Sequence, residues 1–166
     1  NLNTNLKFEN LKKRYEIKKI FNIFSNDLNN CQIRFIGGCV RKALSDENVD
    51  DIDLAVDLTP EEVKLILKNN NIKFFETGIE HGTITAKLNN EKFEITSLRR
   101  DIKSYGRHAD VEFTKKWYED AARRDFSINC IYADLEGNLY DPFEGKKDLK
   151  NEKVKFIGNA EKRIKE

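Results

Sequence analysis

A chain of 166 residues is long enough for one domain with a substantial core, and it sets 30 Lys and Arg against 29 Asp and Glu. That balance excludes a protein that grips nucleic acid through bulk charge, which shows as a basic excess, so any nucleic acid would be held by a local patch, a metal or protein beyond these residues. No apolar run approaches a membrane span, no leader resembles a signal peptide, and the three cysteines and two histidines lack zinc-ligand spacing, so the expectation is a cytoplasmic chain with reduced thiols and no membrane contact.

The first ten residues are polar and asparagine-rich and read as a frayed entry. From Leu11 to Leu28 apolar residues recur at helical spacing (Leu11, Tyr15, Ile17, Ile20, Phe21, Phe24, Leu28), which predicts one amphipathic helix; residues 1–30 are read as an N-terminal helical segment. "CQIRFIGG" reads as a short strand ending in two glycines, "CVRKALS" as a helix, and "DIDLAVD" as another strand. "LTPEEVKLILKNN" carries the marks of a helix start: Thr59 as cap, Pro60 in the first turn, and Glu61 and Glu62 at the positive end. "GTITAKL" and "KFEITSL" alternate around Asn89-Asn90, a hairpin pattern. "RRDIKSYGRHADVEF" has no period and reads as a mobile basic loop; "KKWYEDAARRDFSINCIYAD" begins helical and turns apolar, and "LYDPFEGKKDL" and "KVKFIG" close the chain. Strands and helices are interspersed without repeats, so the class is α/β or α+β with a mixed sheet.

Chemistry concentrates in a few places. Asp51 and Asp53 are two apart, so on a strand they share a face, and two close carboxylates are relieved by a divalent cation such as Mg²⁺. An isolated D-x-D more often marks only a strand end or turn. Here it follows a strand, Gly37-Gly38 and a helix, an order in which phosphate can approach backbone N–H groups, with Arg41 one turn further on to add a phosphate contact. Glu94 lies between Phe93 and Ile95 and faces away from the apolar side. If its strand neighbours "DIDLAV", three carboxylates converge as phosphoryl transfer with metal ions requires; otherwise it is an ordinary solvent-facing glutamate.

Together "GGCVRKAL", "DDIDLAV", "HGTI", "FEIT", "ARRDFSIN" and "YDPFEGKKDL" resemble the class II nucleotidyltransferase head of bacterial CCA-adding enzymes and bacterial poly(A) polymerases, from about Ile33 to the C-terminus. The resemblance implies an α/β (α+β) catalytic head over residues 31–158, with a mixed, mainly antiparallel β-sheet flanked by helices, and the start of a neck helix at 159–166. It implies Mg²⁺-dependent, template-independent transfer of CMP or AMP from CTP or ATP to the 3′ hydroxyl of tRNA. Carried over motif by motif, Asp51 and Asp53 become metal ligands and Glu94 the supporting catalytic carboxylate. Gly37, Gly38 and Arg41 become nucleotide contacts, Arg124 reaches the triphosphate, and Asp125 and Asn129 position the ribose. Asp141 braces the fold, and Arg99 to Val111 matches a flexible loop that assists the change from CTP to ATP.

From the residues alone, Glu119, Asp120, Arg123 and Arg124 at helical spacing are equally well read as surface ion pairs. With the resemblance, Arg124 is expected to be functional and Asp120 and Arg123 its structural partners. His81 is read as satisfying a local hydrogen bond, His108 as a loop residue, and Trp117, Tyr118 and Phe126 as packing rather than base-stacking platforms. Lys42 stands where the family usually has Asp, Ser97 replaces a common Thr, and Tyr105 replaces an acid. In the family a helix with a base-reading E-D-x-x-R motif follows "GNAEKRIKE" almost at once, and the given residues stop at Glu166, the place of its first residue. The chain is therefore expected to be a head fragment or half of a split enzyme, completed by a second chain or by C-terminal domains. Poly(A) synthesis, CC-only or A-only addition and a non-catalytic nucleotide- or RNA-binding module are the alternatives, with a small-molecule nucleotidyltransferase further behind.

Overall fold

The computed structural model describes residues 7–26, 30–78, 82–102, 110–151 and 157. Leu28, His81, Tyr105, His108 and the expected neck start at 159–166 lie outside the described residues.

The first helical stretch is two helices rather than one, α1 (Glu9–Lys13) and α2 (Tyr15–Ser25), separated by Arg14 in an extended conformation at φ −72° and ψ 125°. The break has a visible partner set: the Arg14 guanidinium donates to the Val49 carbonyl at 3.1 Å and to the Glu91 carboxylate, which fixes the corner against the rest of the fold. Nor is the entry frayed from Phe8 onward. Phe8 is fully buried, its ring 5.9 Å from that of Phe35.

β1 (Ile33–Ile36) leads through a glycine turn into α3 (Gly38–Leu44), and β2 (Ile52–Val56) leads into α4 (Pro60–Asn69). At the start of α4 the expected cap is present and reciprocal: Thr59 accepts from the Glu62 N–H while Glu62 accepts from the Thr59 N–H. Next comes β3 (Lys73–Gly78), a mostly exposed edge strand whose adjacent Phe74 and Phe75 break the alternation that would announce it. β4 (Thr83–Leu88) and β5 (Glu91–Ser97) form the expected hairpin, with Asn89 at φ +56°, a conformation asparagine tolerates. The basic segment read as a loop is ordered at both ends. β6 (Arg99–Ile102) and β7 (Asp110–Phe113) pair as a two-stranded antiparallel sheet, because Arg99↔Phe113 and Ile102↔Asp110 set the register.

α5 (Trp117–Ala122), a 3₁₀ turn at Ser127–Asn129, β8 (Tyr132–Ala133), β9 (Leu139–Tyr140) and α6 (Gly145–Lys150) complete the described chain. The main sheet runs β3-β4-β5-β2-β1-β8-β9, and only β2–β5 is parallel, so it is mixed and mainly antiparallel.

Alternation along the central strands gives the sheet two buried faces. Phe35, Leu54, Val56, Phe93 and Ile95 pack with Phe8, Ile17, Phe24, Val63 and Leu67 on the side of α1, α2 and α4. Ile36, Ala55 and Tyr132 point the other way and pack with Leu98, Ala121, Cys130 and Ile157. Among the described residues no helix is long and apolar enough to cross a membrane.

Candidate active site

The parallel pairing of β2 with β5 places Asp53 opposite Glu94. This is the neighbour relation that the three-carboxylate expectation required. Strand β2 begins at Ile52, so Asp51 stands just ahead of it, exposed, while Asp53 is half-buried. Burial pushes the Asp53 carboxyl up from 3.8 to about 6, and the Glu94 charge, a hydrogen bond to Glu94 and the Asp51 charge add to the rise, whereas Arg124 pulls it down. Asp53 and Glu94 thus form a pair of adjacent carboxyl groups in which each negative charge disfavours the other.

The glycine turn closes over the same carboxylate. Gly37 caps α3 at φ +77°, a backbone conformation that disfavours any side chain, and a Cβ there would lie 3.8 Å from Asp53 Oδ2. The limit at Gly37 is conformational rather than steric. The space next to Gly38 is bordered by the Arg41 guanidinium, 4.0 Å from where its Cβ would stand. Cys39 ties the two segments together: its thiol reaches the Ile36 carbonyl at 3.2 Å and the Asp53 carbonyl at 3.4 Å. Burial raises that thiol to about 11, so Cys39 is a structural donor and not a nucleophile. Lys42 is half-buried and makes no ion pair among the described residues.

Arg124 follows α5 and donates from Nη2 to Asp120 Oδ2 at 3.1 Å, with its guanidinium 5.8 Å from the centre of the Tyr132 ring. Tyr132 is paired with Ile36, the residue just before the glycine turn, which brings Arg124 to the Asp53 side of the sheet. Asp125 is exposed, and its carbonyl accepts from the Ile157 N–H at 3.1 Å. Asn129 ends the 3₁₀ turn, which packs against α3. That turn is braced from behind as expected for Asp141: its carboxylate accepts from the Gly145 and Lys146 N–H groups at 2.7 and 2.9 Å and so caps α6. α6 in turn touches the 3₁₀ turn, because Asp148 accepts from the Ser127 hydroxyl at 2.6 Å.

The structure sets Glu94 and Gly37 beside Asp53, with Asp51 just ahead of β2, Arg124 on the same side of the sheet, Gly38 and Arg41 on the adjoining helix and Asn129 on the turn that packs against it. Trp117 stacks edge-on to Tyr132 at 5.2 Å, as packing. Tyr118, by contrast, is 55% exposed, its ring 5.4 Å from that of Phe143. Sequence reading undervalued two residues. Asp120 is 1% exposed and accepts from three donors, and Gly145 sits against the Ser127 carbonyl with no room for a Cβ. An acid in a helix next to two arginines was the only local sign of the first. A cavity of about 1160 Å³ lined by Tyr15, Asn22, Arg34 and Glu136 contains none of the expected residues, and the chemistry lies outside it.

Among the described residues no three His, Cys, Asp or Glu side chains stand close enough to enclose a metal ion by themselves. The donor set still fits a hard divalent cation: oxygen ligands only, a half-open shell, and a carboxyl pair whose mutual repulsion a cation would relieve. A Mg²⁺ ion typically completes such a shell with substrate phosphates and water.

Comparison with known proteins gives the family and the fold. A family model described as the poly A polymerase head domain matches residues 33–155. The chain is 48% identical over 139 residues to the mitochondrial CCA tRNA nucleotidyltransferase 1 of Danio rerio, covering 83% of this chain and 32% of that protein. It is similar to the crystal structure of the Bacillus stearothermophilus CCA-adding enzyme in complex with CTP at 28% identity and a TM-score of 0.76, over 92% of this chain and 36% of that one. A tRNA nucleotidyltransferase complexed with a primer tRNA and an incoming ATP analog is similar at 27% identity and a TM-score of 0.63, over 81% of this chain and 38% of that one. The chain spans about a third of the length of the curated relatives it matches.

Proposed function

The chain belongs to the poly A polymerase head domain family, and on that footing we propose that it is the catalytic head of a template-independent tRNA nucleotidyltransferase of the CCA-adding kind. The observation that carries the proposal is the Asp53–Glu94 register, with Asp51 ahead of it and the Gly37 turn alongside. In the reaction the 3′ hydroxyl of tRNA attacks the α-phosphorus of CTP or ATP, a P–O bond forms, and pyrophosphate leaves.

Asp51 and Asp53 hold Mg²⁺, with Glu94 supporting Asp53. The ion, when bound, supplies charge stabilisation at the phosphate oxygens. The Gly37-Gly38 turn and Arg41 receive the phosphates, and Arg124 adds a second guanidinium. Asp125 and Asn129 orient the ribose. The CCA-adding enzyme in complex with CTP and the nucleotidyltransferase with primer tRNA and ATP analog support this choice of nucleotides and acceptor. Buried thiols at Cys39 and Cys130 fit a reducing compartment such as the cytoplasm.

The test offers the full-length or reconstituted enzyme a tRNA lacking its 3′ end together with Mg²⁺, and supplies CTP and ATP separately and then together. Addition of C from CTP and completion of CCA with both nucleotides is the expected result. Runs of A from ATP alone would identify a poly(A) polymerase instead. Normal extension by Asp53→Ala would overturn the assignment of the site.

A further inference from the structure

Asp120 is the one fully enclosed carboxylate among the described residues. Its Oδ2 accepts from Arg124 Nη2 at 3.1 Å and from the Tyr132 hydroxyl at 2.5 Å. Its Oδ1 accepts from the Arg99 N–H at 3.0 Å and lies 3.5 Å from Arg123 Nε. One side chain therefore joins α5, the sheet at β8 and the root of the β6–β7 hairpin.

Two guanidinium groups, Arg123 and Arg124, pair with this single carboxylate, and Arg99 donates its backbone N–H to it. The Nε atoms of all three are buried and hydrogen-bonded to no described group. Burial lowers the Arg99 pKa, and the Arg123 charge lowers it further, with Arg124 adding to the effect. The cluster sets two arginine side chains against one buried carboxylate, on the side of the sheet where the nucleotide phosphates are proposed to lie.

Arg124 stands between two acidic groups. Asp120 binds it from behind, while its charge also reaches Asp53. Burial works against the Arg124 charge, but Asp120 and Tyr132 outweigh it and hold the guanidinium above its ordinary pKa. An arginine beside metal-binding carboxylates is a competitor for the metal, since it can form the same ion pair that the cation would. A carboxylate buried behind it is screened less than the half-open Asp53–Glu94 pair, so it wins that competition.

We propose that Asp120 is a positioning residue of the nucleotide site, tethering Arg124 away from Asp53 and Glu94 so that the carboxylates stay open to a divalent cation and the guanidinium stays open to phosphate. The proposal rests on the function given above. Without the tether, Arg124 folds onto Asp53 and occupies the place of the cation.

The test is the binding of Mn²⁺ alone, followed by electron paramagnetic resonance, and of CTP with Mg²⁺, followed by calorimetry. Four proteins are compared: the unaltered protein, Asp120→Asn, Arg124→Gln and the double variant. Asp120→Asn is expected to weaken Mn²⁺ binding about tenfold, the size of one charge-assisted contact, and to weaken CTP binding as well. Removing Arg124 from the same protein is expected to restore Mn²⁺ binding to that of Arg124→Gln, because the competitor is gone. A purely structural role would not give that rescue.

If the unaltered protein takes up neither Mn²⁺ nor CTP, the proposed function falls, and the tether with it. If the unaltered protein binds both, three results overturn the tether alone: unchanged binding by Asp120→Asn, a loss that Arg124→Gln does not restore, or failure of both Asp120 variants to fold by circular dichroism.

Discussion

Asp53 carries a carboxyl that its surroundings penalise when it is charged. Burial, with Glu94 and Asp51 adding to it, raises its pKa from 3.8 to about 6. Below the unfolded value both states are protonated and the penalty is absent. Between the two values the folded protein holds a proton that the unfolded chain has released. Above about 6 the folded carboxylate bears the whole penalty, so this group's contribution to stability is lost as pH rises through the window. Without divalent cation, Asp53→Asn is therefore expected to stabilise the protein at pH 7 by up to about 2–3 kcal/mol, less whatever solvent screening removes, and by nothing below about pH 4. Urea unfolding at the two pH values checks this, and a shift that is the same at both would show that no charge penalty exists. In the presence of Mg²⁺ the order reverses in function: Asp51→Ala and Asp53→Ala are each expected to cut tRNA extension about a thousandfold or more. A steady-state extension assay measures that loss.

Two contacts show how elements hold the site in place. At Gly145 a Cβ would stand 2.1 Å from the Ser127 carbonyl oxygen, a backbone atom that cannot step aside, so α6 and the 3₁₀ turn approach each other only because the residue is glycine. Gly145→Ala is expected to cost about 3 kcal/mol or more of stability and to misplace Asn129, read as a lowered melting temperature and a raised KM for nucleotide. Thr59→Ala removes the cap of α4, on the sheet face away from the carboxylates. It is expected to cost about 1 kcal/mol and leave KM unchanged. The Thr59 cap was legible because both partners lie within four residues. The role of Gly145 was not, because its partner is eighteen positions away in sequence, and the quoted "DPFEG" marked the motif without the contact. The Arg14 break was hidden for the same reason: Leu11, Ile17 and Phe24 keep helical spacing across a corner that Val49 and Glu91 create.

Across the whole molecule, the sheet order sets the site. β2 and β5 are separated in sequence by α4, β3 and β4, yet they lie side by side and parallel, with Asp53 opposite Glu94. The β6–β7 hairpin leaves the sheet at Arg99, and Asp120 fastens that root to α5. The helix that the resemblance places after "GNAEKRIKE", whose E-D-x-x-R motif reads base edges, is not among the 166 residues; the E-D-A-A-R at 119–123 is a different segment, in and after α5. A protein made of these residues alone is accordingly expected to bind CTP, ATP and GTP with affinities within about fivefold of one another, since phosphate contacts are blind to the base. Calorimetric titration of the three nucleotides tests this, and a strong preference for CTP over GTP would count against it.

Local chemistry in the sequence determined a good part of this protein. Alternation marked β2 and the β4–β5 hairpin, glycine pairs marked the turn before α3, and the Thr59 cap marked α4, because each depends on residues close together along the chain. The two-residue spacing of Asp51 and Asp53 pointed to a shared face by the same local rule, though Asp51 stands just ahead of β2 and only Asp53 lies on the strand. Tertiary structure alone decided that Glu94 stands opposite Asp53, that Asp120 is buried rather than solvated, and that Arg124 is bound by it. Those facts depend on which distant strands pair and which faces are covered. That choice is made by the packing of the whole core, and no short window of sequence contains it.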